Sequence, residues 1–238
     1  VTVRRVLRNV GAALVAVGVL LLLFVGYELW GTGLITAGHQ RALRNQFDQE
    51  LRQAGVAIPT SPPGTTGTTV PSSRGLVPST GTATDGQPIA IIQIPRIGVD
   101  FVVVQGTDEA DLERGPGHYV NTAFPGNPGN AAIAGHRTTY LHPYYHLDAL
   151  APGDPIFVTT TQGRFRYDVT RTRVVRPTDV AVLDATATPT LTLTTCNPRY
   201  SASTRMVVTA DLVTPAAAGA ARPGGVPPAA TLSSSGGS

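Results

Sequence analysis

The sequence predicts an all-β domain, a sandwich or a barrel, carried behind one membrane-crossing helix. Three observations predict it. Short, β-branched apolar runs recur through residues 88–213, and Pro, Gly and Asn turns separate most of them. Helical periodicity is scarce in that stretch. Upstream, Arg4, Arg5 and Arg8 precede an apolar run from Val10 to Trp30 that meets no charge before Glu28. Such a run is long enough to cross a hydrocarbon core of roughly 30 Å.

Taken in order, residues 1–9 form a cytoplasmic N-terminus and 10–30 the membrane helix, with Tyr27 and Trp30 suited to the far interface. The near-side arginines retain the N-terminus in the cytoplasm, so the rest of the chain lies outside. A cleaved signal peptide fits poorly, because Ile35-Thr36-Ala37 makes a weak cleavage site. Residues 31–54 read as a juxtamembrane amphipathic helix, with Leu43, Phe47 and Leu51 at four-residue spacing among Arg41, Arg44, Asp48 and Arg52. Three roles stay open for it: extending the membrane helix, packing near the bilayer, or pairing with itself.

From 55 to 87 the chain turns to Pro, Gly, Ser and Thr without apolar period, which predicts a disordered tether. Residues 88–214 form the folded domain, and 215–238 a disordered tail. The predicted strands are Ile89–Ile94, Val99–Val104, Ala131–Ala134, Pro155–Thr161, Phe165–Val175, Leu191–Thr195 and Met206–Val213. Helical turns are expected near Asp108–Leu112 and Tyr144–Leu150. A domain of this size can bury one core without disulfides.

Composition excludes some functions. The formal net charge of the 238 residues is only +3, and the three N-terminal arginines account for it. No basic stripe with interleaved aromatics is present, so nucleic acid is not an expected partner. The chain has no lysine, which reads as the codon bias of a GC-rich genome.

The one cysteine, Cys196, ends an apolar strand in Thr192-Leu193-Thr194-Thr195-Cys196. Outside the cytoplasm a lone thiol is either an idle core residue or a nucleophile. His136 ends another apolar strand behind Gly135, and Arg205 opens the strand that follows Cys196. An ordinary thiol, pKa about 8.5, is a few per cent thiolate at neutral pH. A neighbouring His or Arg raises that fraction. The imidazole can protonate a leaving amine, and the guanidinium can stabilise an oxyanion. Together they suffice for acyl transfer through a thioester. Singly, each has a plainer reading: a small buried hydrophobe, a surface histidine, a solvated arginine.

The combination resembles a known family. Thr192-Leu193-Thr194-Thr195-Cys196 matches the T-L-x-T-C motif of sortases, the membrane-anchored cysteine transpeptidases of Gram-positive bacteria. The later arginine, the earlier histidine and the order anchor, tether, domain agree. The stretch from Gly115-Pro116-Gly117-His118-Tyr119 through Pro125-Gly126-Asn127-Pro128-Gly129-Asn130 to Ala134-Gly135-His136-Arg137-Thr138-Thr139-Tyr140 resembles class E sortases of actinobacteria.

The resemblance implies a closed eight-stranded β-barrel with the site at one end. It implies Cys196 as nucleophile, His136 as general acid and base, and Arg205 as the oxyanion or substrate-positioning group. Thr195 would help bind the acyl carbonyl. Tyr119 would favour an L-A-x-T-G sorting signal over L-P-x-T-G. The implied partners are secreted proteins bearing that signal and the amine of a cell-wall precursor. One departure stands out: the class E pattern continues after Tyr140 with a glycine and a small residue, where this chain has Leu141-His142-Pro143-Tyr144-Tyr145-His146.

Two other function classes compete. One is a membrane-tethered β module that binds cell-surface peptides without chemistry. The other is a pilin-polymerising sortase, whose lid often carries an acidic-aromatic plug; residues 55–87 hold no aromatic. No cofactor is expected. His142 and His146, with His118 or His136, invite a zinc reading, but Pro143 keeps the first two off one regular helix. Asp108, Glu109, Asp111 and Glu113 lack the ligand spacing of a calcium loop, so a solvated turn is expected there.

Overall fold

In the computed structural model, residues 2–26, 32–57 and 83–213 are described. Eight strands close into one barrel: β1 (Pro88–Ile94), β2 (Val99–Gln105), β3 (Gly117–His118), β4 (Asn130–Ala134), β5 (Pro155–Thr160), β6 (Gly163–Val175), β7 (Thr190–Asn197) and β8 (Thr204–Leu212). The order around the barrel is β1-β2-β3-β4-β7-β8-β6-β5. The alternative of a sandwich is thereby settled in favour of a barrel. Two neighbouring pairs, β2 with β3 and β4 with β7, run parallel, and the rest run antiparallel.

The interior is filled, not hollow. Ile92, Val103, Ile133, Leu191, Leu193, Val208 and the ring of Tyr144 belong to one buried cluster. Strand alternation assigns the faces. On β7, Leu191 and Leu193 point inward, so Thr192, Thr194 and Cys196 point outward. On β8, Met206, Val208 and Ala210 point inward, and Arg205 outward. On β4, Ala131 and Ile133 point inward, and Ala132 and Ala134 outward.

Helix α1 (Thr2–Gly26) carries a span, Val3–Phe24, long and apolar enough to cross a membrane, and none of its apolar window is buried against the rest of the chain. Tyr27 and Trp30 lie outside the described residues. Helix α2 (Thr32–Gln53) packs on the barrel. Its Leu43, Phe47 and Leu51 are buried against Ile91, Val102 and Val104 on the outer faces of β1 and β2. The residues left open for self-pairing are therefore spent within the chain. This second layer explains why β1 is apolar at every position but Gln93 and is buried at all seven. A strand covered on both faces needs no polar alternation.

The tether read over 55–87 is ordered at both ends. Val56 packs against the α2 cluster, and the Gly86 amide donates to the Gln105 carbonyl at 2.7 Å. Residues 58–82 and the tail from 214 lie outside the described residues. Helix α3 (Glu109–Leu112) and a 3-10 turn at Leu147–Ala149 occupy the two predicted helical turns. Strand β3, only two residues long, was below the reach of periodicity. Asp111 departs from the solvated turn expected of it: the residue is 8% exposed and its carboxyl lies over Gly106.

Candidate active site

Backbone register brings three of the predicted residues together. Strands β4 and β7 run parallel and in step up to Ala134 opposite Thr194. The pairing continues one residue further, because the Gly135 amide donates to the Thr194 carbonyl at 3.0 Å. The Thr195 hydroxyl then donates to the Gly135 carbonyl at 2.7 Å. The next residue on one side is His136, and on the other Cys196. Across β7, Cys196 sits opposite Arg205 of β8. His136, Cys196 and Arg205 thus form one row across three adjacent strands. Alternation puts all three on the outer face, at the ends of the strands. The expected position at one end is refined to the outer wall there.

Gly135 is required at the bend before His136. A Cβ at this position would lie 2.6 Å from the Tyr144 ring, which is wholly buried. The absence of a side chain lets the strand end close onto the core while His136 turns outward.

His136 is half-buried, and its Nε2 is buried with no hydrogen-bond partner among the described residues. Burial pushes its pKa below the ordinary 6.5, against the opposing pull of Glu113 and Glu109. The imidazole is therefore mainly neutral at pH 7, with an uncommitted ring nitrogen. Cys196 is a half-buried free thiol. The Arg205 Nη1 donates to the carbonyls of Ala202 (2.9 Å) and Thr204 (3.1 Å), which fixes the guanidinium at the β7–β8 loop. Its other N–H groups remain for a ligand.

Tyr119 also joins this face. Its amide donates to the Ala132 carbonyl, extending β3 by one residue, and its hydroxyl lies 3.1 Å from Thr194 Oγ1. Between Tyr119 and β7 lie Ala132 and Ala134 of β4, both buried. Asn130 ties down the far rim, donating to the carbonyls of Val182 (3.0 Å) and Asp184 (3.1 Å) and accepting from Thr192.

Thr195 is placed apart from the row. Its side chain is 3% exposed and lies on the face opposite Cys196, with its proton given to Gly135. It locks β4 to β7 and has no free donor for an acyl carbonyl. Its neighbour in the same motif, Thr194, is the threonine on the outer face.

Sequence reading assigned no role to Arg137, which is 4% exposed beneath the row. It donates to Asn197 Oδ1 (2.7 Å) and to the Cys196 carbonyl (3.3 Å), and pairs with Asp148 at 3.1 Å. Asp148 in turn holds Arg199 through both oxygens at 2.9 Å. One guanidinium thus links the chain after His136 to the backbone of Cys196. Its position beside His136 was the only signal, and a charged residue next to a strand end is ordinarily solvated.

His142 and His146 each set a ring against Tyr145, at 5.5 and 4.9 Å, and Arg199 covers the same tyrosine at 4.6 Å. No group of three His, Cys, Asp or Glu side chains placed to hold a metal occurs among the described residues. His118 is buried inside the barrel, with Nδ1 at 3.0 Å from Gln105 Oε1 and Nε2 at 2.9 Å from the Ala123 carbonyl.

Comparison with known proteins agrees with this architecture. Residues 92–213 match the sortase domain profile. Sortase SrtE1 of Streptomyces coelicolor is 32% identical over 87% of this chain and 57% of its own length. Sortase D of Bacillus subtilis is 30% identical over 70% of this chain and 84% of its own. The chain thus spans little more than half of the Streptomyces relative. Among solved structures, a Clostridium perfringens sortase D5 transpeptidase superposes with a TM-score of 0.60 at 27% identity, covering 74% of this chain and 99% of that one. Sortase E1 of Streptomyces coelicolor, solved with a tripeptide in its active site, gives 0.51 at 34% identity over 54% and 90%.

Proposed function

This chain belongs to the sortase family, and we propose that it is a membrane-anchored cysteine transpeptidase using Cys196, His136 and Arg205. The observation that carries the reading is the row of those three residues across β4, β7 and β8 on the outer face.

The chemistry follows from the states of the groups. His136 is neutral at rest, because burial holds its pKa down. On substrate binding the Cys196 proton passes to the imidazole, and the thiolate attacks the carbonyl carbon of the Thr–Gly bond in the sorting signal. The carbonyl oxygen gains negative charge, which the free N–H groups of Arg205 stabilise. His136 then gives its proton to the glycine nitrogen, the C–N bond breaks, and a thioester remains on Cys196. An acceptor amine attacks the thioester and yields its proton to His136. The thiolate leaves, recovers the proton, and the new amide departs.

Tyr119 lies on the same outer face as Cys196, its hydroxyl 3.1 Å from Thr194 Oγ1, and we assign it to reading the residue two before the signal threonine. This supports an L-A-x-T-G signal over L-P-x-T-G. The acceptor is the amine of a cell-wall precursor, which would attach secreted proteins to the wall. Helix α1 would anchor the enzyme with its arginine-bearing end in the cytoplasm and the barrel outside.

The test uses residues 32–214, which retain α2, with matched Leu-Ala-x-Thr-Gly and Leu-Pro-x-Thr-Gly peptides and an amine acceptor, followed by mass spectrometry. Cleavage and ligation that vanish in Cys196→Ala are expected, with the alanine peptide preferred. Preference for the proline peptide refutes the role of Tyr119. An unreactive thiol and no cleavage of either peptide refute the enzyme and favour a binding module.

A further inference from the structure

We propose that Glu113 and Tyr140 are positioning residues for His136, and that helix α2 holds them, making the segment next to the membrane anchor part of the active-site scaffold. The proposal rests on the reading of His136 as the acid and base.

The contacts form a continuous chain. The Tyr140 ring lies 4.8 Å from the His136 ring at 41°. Its hydroxyl donates to Glu113 Oε1 at 2.8 Å. The Glu113 carbonyl accepts from Thr36 Oγ1 of α2 at 2.9 Å. Helix and histidine loop also meet directly, since a Cβ at Gly33 would lie 3.7 Å from Leu141 Cδ2.

The loop needs such support. Tyr140, Leu141 and His142 have φ of 49°, 61° and 40°, three consecutive side-chain-bearing residues in the left-handed region. That conformation is sparsely populated and persists only where surroundings fix it.

Helix α2 is well placed to fix it. Gln40 completes the edge of β2 where the short β3 does not reach. Its Nε2 donates to the carbonyls of Val102 (3.0 Å) and Arg114 (2.8 Å), and its Oε1 accepts from the Val102 amide (2.8 Å). One amide therefore joins α2 to the barrel and to the residue after Glu113. The buried Leu43, Phe47 and Leu51 hold the rest of the helix.

The charges around His136 give the arrangement a chemical consequence. Glu109 and Glu113 face it from α3 and the residue after its C-terminus, and both favour the protonated ring. Cys196 is next to it in the row on β7, with Arg205 beyond on β8. Arg137, its chain neighbour, is turned away toward Asp148 and Asn197. Glu113 is thus an anionic group near His136 whose backbone and side chain are both tied to other elements.

The experiment uses the full chain in lipid nanodiscs. Glu113→Gln, Tyr140→Phe and Thr36→Val are compared with the parent in kcat and KM for the signal peptide. The His136 imidazole is titrated by NMR with labelled histidine, assigned through His136→Gln. Glu113→Gln is expected to lower the imidazole pKa and to reduce kcat roughly ten- to a hundredfold with KM nearly unchanged. Tyr140→Phe keeps the ring beside His136 and loses the anchor, so it lowers kcat in the same direction by less. Thr36→Val does likewise from the helix side and reports the contribution of α2 if Glu113→Gln folds poorly. An imidazole titration unchanged in Glu113→Gln and Tyr140→Phe overturns the proposal. The titration is read with or without turnover. Full activity in His136→Ala would instead sink the acid–base reading alone.

Discussion

Replacing Arg137 by methionine should damage both stability and catalysis. The side chain is 4% exposed, and methionine preserves most of its aliphatic stem. What disappears is a forked donor to Asn197 Oδ1 at 2.7 Å, the Cys196 carbonyl at 3.3 Å and Asp148 at 3.1 Å. Asp148 does not become an orphan, because Arg199 still holds both its oxygens. The full penalty for breaking a buried ion pair, about 3–5 kcal/mol, therefore does not apply. Losing the charge-assisted bond to Asn197 costs about 1.5–3 kcal/mol, and relief from burying a guanidinium offsets part of it, leaving about 2 kcal/mol. For a domain of this size that is about 4–8 °C in Tm. Catalysis should fall further than stability, since the Cys196 backbone loses its tie to the chain after His136, and a 1 Å misplacement costs on the order of a hundredfold. Thermal denaturation followed by kcat on the signal peptide measures both. Arg137→Lys should not rescue, because one ammonium cannot reproduce the planar fork. A Tm within about 1 °C of the parent, on the scale set by domain size, together with unchanged kcat/KM would refute the reasoning.

Three other outcomes can be checked alongside. Gly135→Ala forces a methyl group to within 2.6 Å of the buried Tyr144 ring, and overpacking of this kind costs about 1–3 kcal/mol, readable as a lower Tm and a lower kcat. Thr195→Val removes the donor to the Gly135 carbonyl while conserving shape, so chemical denaturation should show a loss of about 1 kcal/mol, whereas KM should stay unchanged; a raised KM would restore a role in substrate binding. Burial depresses the pKa of His118 below its unfolded 6.5, so its contribution to stability is complete above that value and is lost as pH falls from 6.5 through the folded pKa. Denaturation curves at pH 7.5 and 5.5 should therefore diverge, and His118→Gln should flatten the difference.

The fold was legible because its strands declare themselves by β-branched runs between Pro/Gly turns, and all seven predicted runs needed only end adjustments. Strand β3 was hidden because two residues have no period, although Gly117-His118-Tyr119 had drawn notice through its resemblance to class E sequences. Cys196, His136 and Arg205 were legible as candidates because each ends or begins a strand, where side chains can leave the pairing. The face of Thr195 was not legible from the motif: adjacency places it beside Cys196, while the pleat turns the two apart. Arg137, Glu113 and Tyr140 were illegible as a set. The bonds from Tyr140 to Glu113, from Arg137 to the Cys196 carbonyl and from Thr36 to the Glu113 carbonyl join residues 27, 59 and 77 apart in sequence, and only the closed barrel brings them into contact.

A barrel packed solid with Ile, Leu and Val has no interior in which to do chemistry, so its site must be built on the outer wall. Antiparallel neighbours alone would bring a strand end beside a strand beginning. The parallel pairing of β4 with β7 instead brings two strand ends side by side, with histidine and thiol emerging in step. The antiparallel return of β8 then supplies its first residues to the same edge, which is how Arg205 comes to lie opposite Cys196. Mixed topology is thus the reason three residues spread over 70 positions can form a row. An outer-wall site is also open to water and to loop motion, unlike a buried one. Arg137 below the row and the α2–Glu113–Tyr140 chain beside it answer that need from two directions, one holding the backbone of Cys196, the proposed nucleophile, and the other the ring beside His136, the proposed base. Defects in the two supports should therefore add in ΔΔG‡, as independent sites do, and a double variant Arg137→Met with Tyr140→Phe whose loss in kcat falls well short of the product of the single losses would show that the supports act as one unit.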